Sequence, residues 1–257
     1  MGELEVAMRG VRDDGRRAFV PYVTGGYPGV DAGLLRTLAD AGADAIEVGI
    51  PHSDPIMDGG VVQEASRVAL ERGTHPSDVL ATIAEADLPV PVAVMTYANI
   101  VTHPGIETFC GELADAGVRG VIVPDLPVDE SGDLAGATME HAIDMVLLAA
   151  PGTAPERYTA IGAASHGFVY CVATYGVTGA RDTLAATARE VVEAMRPHTD
   201  VPLLVGVGIA TPELAREACA FADGVIVGSA MMAPLLDGDR AGVGTLAAAF
   251  SDAVRTS

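Results

Sequence analysis

Leu38-Ala39-Asp40-Ala41-Gly42-Ala43-Asp44-Ala45-Ile46 reads as a helix end, a glycine turn and the start of a strand. The chain repeats it at Leu113-Ala114-Asp115-Ala116-Gly117-Val118-Arg119-Gly120-Val121, with a looser echo from Ala218 to Ile226. Glycine just past a helix permits the left-handed residue that turns the backbone toward a sheet. Working outward, eight short apolar runs recur: Phe19 to Val23, Ala45 to Ile50, Val90 to Met95, Val118 to Val123, Ile143 to Ala149, Gly167 to Val172, Pro202 to Val207 and Gly224 to Val227. They rarely alternate with polar residues, which marks strands buried on both faces of a parallel sheet. Segments of helical period separate them, around Leu34 to Ala39, Val61 to Ala69, Phe109 to Ala114, Leu184 to Met195 and Leu246 to Val254. Eight strands alternating with helices is the arithmetic of an α/β fold built as a single (β/α)8 TIM barrel. A doubly wound open sheet would reuse the same turn, but eight units suit closure better. No low-complexity linker divides the chain, so one domain over 1–257 is expected.

Composition narrows the function. The 257 residues carry 35 Asp plus Glu against 15 basic side chains, a net charge of −20, and 49% are hydrophobic. This is a folded globular protein, and its charge repels phosphate backbones, so nucleic acid is excluded as a partner. A phosphorylated small molecule would have to be held by backbone N–H groups rather than by a basic patch. Cys110, Cys171 and Cys219 form no Cys-x-x-Cys pair and sit in apolar runs, as buried small hydrophobes do. The acidic start Met1-Gly2-Glu3-Leu4-Glu5 lacks the features of a signal peptide, and no apolar stretch reaches about 18 residues, so a cytoplasmic protein off the membrane is expected.

In a barrel, chemistry gathers at the C-terminal ends of the strands. Glu47 interrupts the second apolar run, and period two puts it on one face with Ala45 and Gly49, which leaves room beside the carboxylate. A buried, unpaired carboxylate raises its pKa toward neutrality, where a general acid or base works best. The same residue could instead pair with a cation or face water at the strand end. In the loop after it, Asp58 fits a helix cap or a turn before Gly59, or a second acid in a wetter environment than Glu47. Glycines end the late strands at Gly176-Val177-Thr178-Gly179, Gly206-Val207-Gly208 and Gly228-Ser229. The loops after strands seven and eight form the recurrent phosphate site of such barrels. Ser229 reads as a hydroxyl donor to phosphate, and no dinucleotide fingerprint is present. The six histidines show no metal-ligand spacing, so no metal is expected. Asp125 in Pro124-Asp125-Leu126-Pro127 could be catalytic, a buried structural carboxylate or a turn residue.

Several stretches together resemble the tryptophan synthase α subunit family: Phe19 to Thr24, Glu47-Val48-Gly49-Ile50-Pro51-His52-Ser53-Asp54-Pro55, Pro124 to Pro127 and Gly176 to Gly179, with Gly206 to Gly208 and Gly228-Ser229 following in order. The Glu-Val-Gly-Ile-Pro-x-Ser-Asp-Pro stretch is specific to that family; the glycine motifs are not. The resemblance implies a barrel lyase that cleaves indole-3-glycerol phosphate to indole and glyceraldehyde 3-phosphate in tryptophan biosynthesis. It implies Glu47 and Asp58 as the catalytic pair and Gly179, Gly208, Gly228 and Ser229 around the phosphate. Tyr22, Met95, Tyr170 and Thr178 would lie near the indole ring or its loop. No cofactor is implied for this half-reaction, since pyridoxal phosphate belongs to the partner β subunit. That partner would complete an α2β2 heterotetramer, touching Asp54, Pro55 and Asn99. Three departures stand out: Gly60 where the family often has Pro, Tyr27 where Asp is common, and Thr174-Tyr175 where Arg or Ser is often found. They bear on loop closure and partner activation, and motivate the alternative of a stand-alone indole-3-glycerol phosphate lyase feeding another pathway.

Overall fold

The computed structural model describes residues 1–172, 181–206 and 208–255, with only the backbone over 181–185. Nine strands form its sheet: β1 Ala18–Thr24, β2 Ile46–Gly49, β3 Val92–Met95, β4 Val118–Ile122, β5 Asp144–Val146, β6 Leu148–Ala149, β7 Val169–Val172, β8 Leu203–Gly206 and β9 Gly224–Val227. All pair in parallel, in the order β5-β4-β3-β2-β1-β9-β8-β7-β6. The expected fifth run thus appears as two strands split at Leu147, one half pairing with β4 and the other with β7. Leu147 still accepts the Tyr170 N–H through its carbonyl (3.0 Å), so one stretch of chain serves both edges and closes an eightfold barrel.

Each strand buries both faces, for the reason its composition suggests. Outward residues such as Phe19, Ile46, Val94, Val121 and Val205 pack beneath the surrounding helices, where Phe19 stacks on Phe250 of the last helix, Arg240–Arg255. Inward residues form a separate cluster that includes Val20, Ala45, Ala93, Ile122, Phe168 and Ile226. The expected helical segments all appear, within Ala32–Asp40, Gly60–Glu71, Ile106–Asp115, Arg181–Met195 and Arg240–Arg255. Gly42 (φ 94°) and Gly117 (φ 81°) take the left-handed conformation that the repeated turn requires. The third echo differs: Gly224 begins β9, and its Cβ would lie 2.5 Å from the Ala18 carbonyl oxygen, so glycine there serves strand packing.

The N-terminal helix, Glu3–Asp13, closes the bottom of the barrel. It sends Leu4, Met8 and Val11 into the inward cluster. Gly120 makes the space, since a Cβ there would lie 2.4 Å from Leu4. Asp144 of β5 holds the helix start, its Oδ1 accepting the Gly2 N–H (3.0 Å) and its Oδ2 the Glu5 N–H (2.8 Å). Two orphan N–H groups of the first turn are thereby satisfied by a carboxylate from the sheet. Among the described residues, no helix is long and apolar enough to cross a membrane.

Candidate active site

Glu47 sits in the middle of β2, in register with Tyr22 on one side and Ala93 on the other. It is 1% exposed, and its Oε2 has no hydrogen-bond partner. Neither bland reading survives: it does not face water, and no ion pair engages it among the described residues. Burial, with the Asp58 charge adding to it, pushes its carboxyl up to about 8.

Asp58 lies on the loop between β2 and the helix Gly60–Glu71. Gly59 occupies the cap position, and no side chain caps that helix, so the capping reading is corrected. The carboxylate turns the other way, and its Oδ2 accepts the Tyr97 hydroxyl (3.1 Å). Backbone bonds hold the loop around it: the Asp58 N–H donates to Pro55 O (3.0 Å), and Gln63 Nε2 donates to Asp58 O (2.9 Å). Burial raises Asp58 to about 6, with the Tyr97 hydrogen bond and His52 pulling against the rise. Two carboxyls in one cavity therefore differ in acidity because one is sealed with an oxygen that has no partner among the described residues while the other is bonded.

The two acids line a cavity of about 460 Å³ at the C-terminal end of the barrel. Tyr22 and Tyr170, both expected here, form its walls, and each rests against a glycine. A Cβ on Gly49 would lie 2.2 Å from the Tyr22 hydroxyl, and one on Gly206 would lie 2.2 Å from the Tyr170 hydroxyl. Burial pushes both phenols well above their usual range. Met95, Ile122, Leu148 and Ile226 add apolar surface between them, a lining that suits a flat aromatic ring.

At one end of the cavity the lining changes to Gly208, Gly228 and Ser229. Gly208 has φ +84°, and Ser229 opens the helix Ser229–Leu236, where the Met231 N–H donates to Gly228 O (2.9 Å) and the N–H groups before it precede any intrahelical acceptor. No Lys or Arg is found among the described residues lining the cavity, as a phosphate site built from backbone donors requires. Thr178 and Gly179, with Thr174-Tyr175 and the rest of the Gly176 to Gly179 motif, lie outside the described residues, as does Val207.

Other expected residues fall around the rim. Asp54 and Asn99 are exposed and Pro55 half-buried, with His52 between them: His52 Nε2 meets Asn99 Oδ1 (2.9 Å), and the Asp54 N–H donates to His52 Nδ1 (3.1 Å). Asp125 is exposed and outside the cavity, where it accepts the Ala98 N–H (2.9 Å) at the start of the helix Ala98–Thr102. There it ties two rim loops, as a turn residue does, and its exposure corrects the buried reading. Tyr27 packs half-buried against the core, and Gly60 borders open space. All three cysteines are buried, and burial raises each thiol, as inert packing residues show. His166 meets Glu5 and Asp144 at the barrel bottom, their donor atoms within 4.8 Å, a grouping that chain spacing hides. Arg9 and backbone N–H groups already engage those carboxylates.

Tyr97 was not among the expected site residues, nor was His52. Tyr97 follows β3 by two residues, so the period that puts Met95 in the cavity also turns Tyr97 inward; that alternation was the available signal.

Comparison with known proteins agrees with the fold. A profile of the family described as "Tryptophan synthase alpha chain" matches residues 8–249. The chain is similar to the tryptophan synthase alpha chain of Synechocystis sp., 43% identical over 243 residues, covering 93% of this chain and 92% of that one. That of Streptomyces coelicolor is 41% identical over 261 residues, covering 98% and 96%. Among solved structures, tryptophan synthase from Mycobacterium tuberculosis superposes with a TM-score of 0.91 at 36% identity, covering 99% of this chain and 98% of that one. The alpha subunit from Legionella pneumophila gives 0.90 at 29%, with both chains fully covered.

Proposed function

This chain belongs to the tryptophan synthase alpha chain family, the indoleglycerol phosphate lyases, and from that premise we propose that Glu47 and Asp58 carry the cleavage of indole-3-glycerol phosphate to indole and glyceraldehyde 3-phosphate. The observation that carries this assignment is the separation of the two acids: near neutrality a group at about 8 is mostly protonated and a group at about 6 mostly ionised.

Cleaving the bond between indole C3 and the glycerol carbon requires the ring to accept an electron pair, which protonation at C3 allows. Glu47 delivers that proton. Asp58 accepts a hydrogen bond from the indole N–H and stabilises the positive charge that appears there. The ionised Glu47 then takes the proton of the adjacent glycerol hydroxyl as the carbon–carbon bond breaks; its electrons return to the ring, and the hydroxyl carbon becomes the aldehyde. Glu47 ends the cycle protonated, as it began. Each proton transfer contributes about 10²–10⁴-fold. Fixed donors at Gly208, Gly228 and Ser229 would hold the phosphate, and the tyrosine walls keep water from the ring.

We further infer a β-subunit partner, since the similar M. tuberculosis structure is of a tryptophan synthase. The exposed rim of Asp54, Pro55 and Asn99 would meet it. The test of the pair is the pH dependence of indole release. Activity requires Asp58 ionised and Glu47 protonated, so kcat/KM should fall below about 6 and above about 8. A profile flat across that window would overturn the assignment. Adding a β subunit should raise the rate strongly; fast release indifferent to the partner would favour an independent lyase.

A further inference from the structure

We infer that His52 is a positioning residue for Asp58: its ring clamps Tyr97, and the Tyr97 hydroxyl holds the Asp58 carboxylate. This rests on the reading of Asp58 as catalytic and extends it to a residue outside the cavity.

Asp58 sits on a loop without helix or strand, so its placement depends on what braces that loop. One brace acts at its end, where the Tyr97 hydroxyl donates to Asp58 Oδ2 (3.1 Å) and accepts the Met57 N–H (3.1 Å). A single phenol oxygen therefore sets both the carboxylate and the backbone before it. The Tyr97 backbone is fixed by the helix it opens, its carbonyl accepting the Ile100 N–H (3.0 Å). The freedom left to the phenol is rotation about its side-chain bonds.

His52 removes that freedom. Its ring lies over Tyr97 with centroids 4.4 Å apart and planes 20° from parallel. Both ring nitrogens are anchored, Nδ1 by the Asp54 N–H on its own loop and Nε2 by Asn99 Oδ1 on the segment that carries Tyr97. Because Nδ1 accepts, Nε2 must donate, and the ring is held in one tautomer. A flat ring fixed at two edges can maintain a stack that a ring free to swing would lose. The clamp thus joins the start of the loop to the residue that holds its end. The Tyr97 hydrogen bond that this clamp maintains favours the ionised form of Asp58. Among the described residues, the ionisable groups that meet this clamp are Asp54 on the His52 loop, Tyr97 beneath the ring and Asp125, whose charge acts on Tyr97.

The test compares His52→Ala and His52→Phe with the parent chain in indole release, reading kcat, KM and the pH profile, with Asp58→Asn beside them. His52→Ala should lower kcat by roughly ten- to a hundredfold, as misplacement of a catalytic group by about 1 Å does. KM should hold, and the acid limb of the profile should move to higher pH. His52→Phe keeps the stack without the hydrogen bonds and should recover part of the loss in kcat and, with it, part of the displacement of the acid limb. If His52→Ala proves unstable, His52→Phe alone carries the test through its partial loss of kcat and the smaller displacement of its acid limb. Parent-like kcat and profile in the variants, or a rise in KM alone, would overturn the inference while leaving Asp58 in place. A nearly unaffected Asp58→Asn would remove Asp58 from the chemistry and this inference with it.

Discussion

The two ends of the barrel use one device for opposite purposes. At the bottom, small inward residues such as Ala45, Ala93 and Gly120 leave room that Leu4 and Met8 fill, and the carboxylates there are engaged, Asp144 by two backbone N–H groups and Glu5 by Arg9. At the top, Gly49 and Gly206 leave room that Tyr22 and Tyr170 fill only in part, and Glu47 keeps an oxygen without a partner. Filled space and satisfied groups stabilise; open space and an unsatisfied acid store reactivity. The barrel keeps the two about the length of a strand apart, so each can change without the other.

Glu47→Gln should break this comparison most sharply. Indole release should vanish while a phosphorylated substrate analogue still binds; a large loss of affinity in titration calorimetry would make Glu47 structural. The same change should stabilise the fold. A carboxyl raised from 4.5 to about 8 contributes most favourably below 4.5, and that contribution is lost as pH rises toward 8. The gain in unfolding free energy from Glu47→Gln should therefore be small near pH 4.5 and reach a few kcal/mol by pH 8, read by urea denaturation at the two pH values. Leu4→Ala tests the other end, where emptying a packed site should lower unfolding free energy by about 2–5 kcal/mol in urea with indole release almost unchanged at permissive temperature. Gly206→Ala narrows the contrast, since the new methyl must displace Tyr170; kcat/KM should drop by about tenfold with modest loss of stability. Gly60→Pro is the smallest expected effect. Gly59 already has the extended conformation (φ −72°, ψ 159°) that precedes proline, and Gly60 is the first helical residue beside open space. Thermal unfolding should show a gain of about 0.4–1 kcal/mol.

Much of this was legible before any coordinates. Unbroken apolar runs disclosed the strands, because residues buried on both faces leave little else to vary, and Glu47 stood out as a charge inside such a run. Asp58 was legible as a residue but not as a role, since an acid before Gly59-Gly60 looks the same whether it turns toward the helix or away. Tyr97 and His52 escaped because their meaning lies in contacts that span 39 and 47 positions along the chain. The first helix escaped too: Leu4, Met8 and Val11 give the pattern of any amphipathic helix, and nothing local says that its apolar face enters a barrel.

The seam at Leu147 bears on how the molecule is made. Every ladder in the order β5-β4-β3-β2-β1-β9-β8-β7-β6 joins strands adjacent along the chain, except β1 with β9. A ribosome can thus release a ribbon that zips strand by strand as it emerges, leaving one long-range ladder, Ala18 to Pro21 against Gly224 to Val227, for the end of synthesis. A nascent chain halted before Gly224 should stay open along two bare edges, those of β1 and β8, a target for chaperones until the last strand arrives.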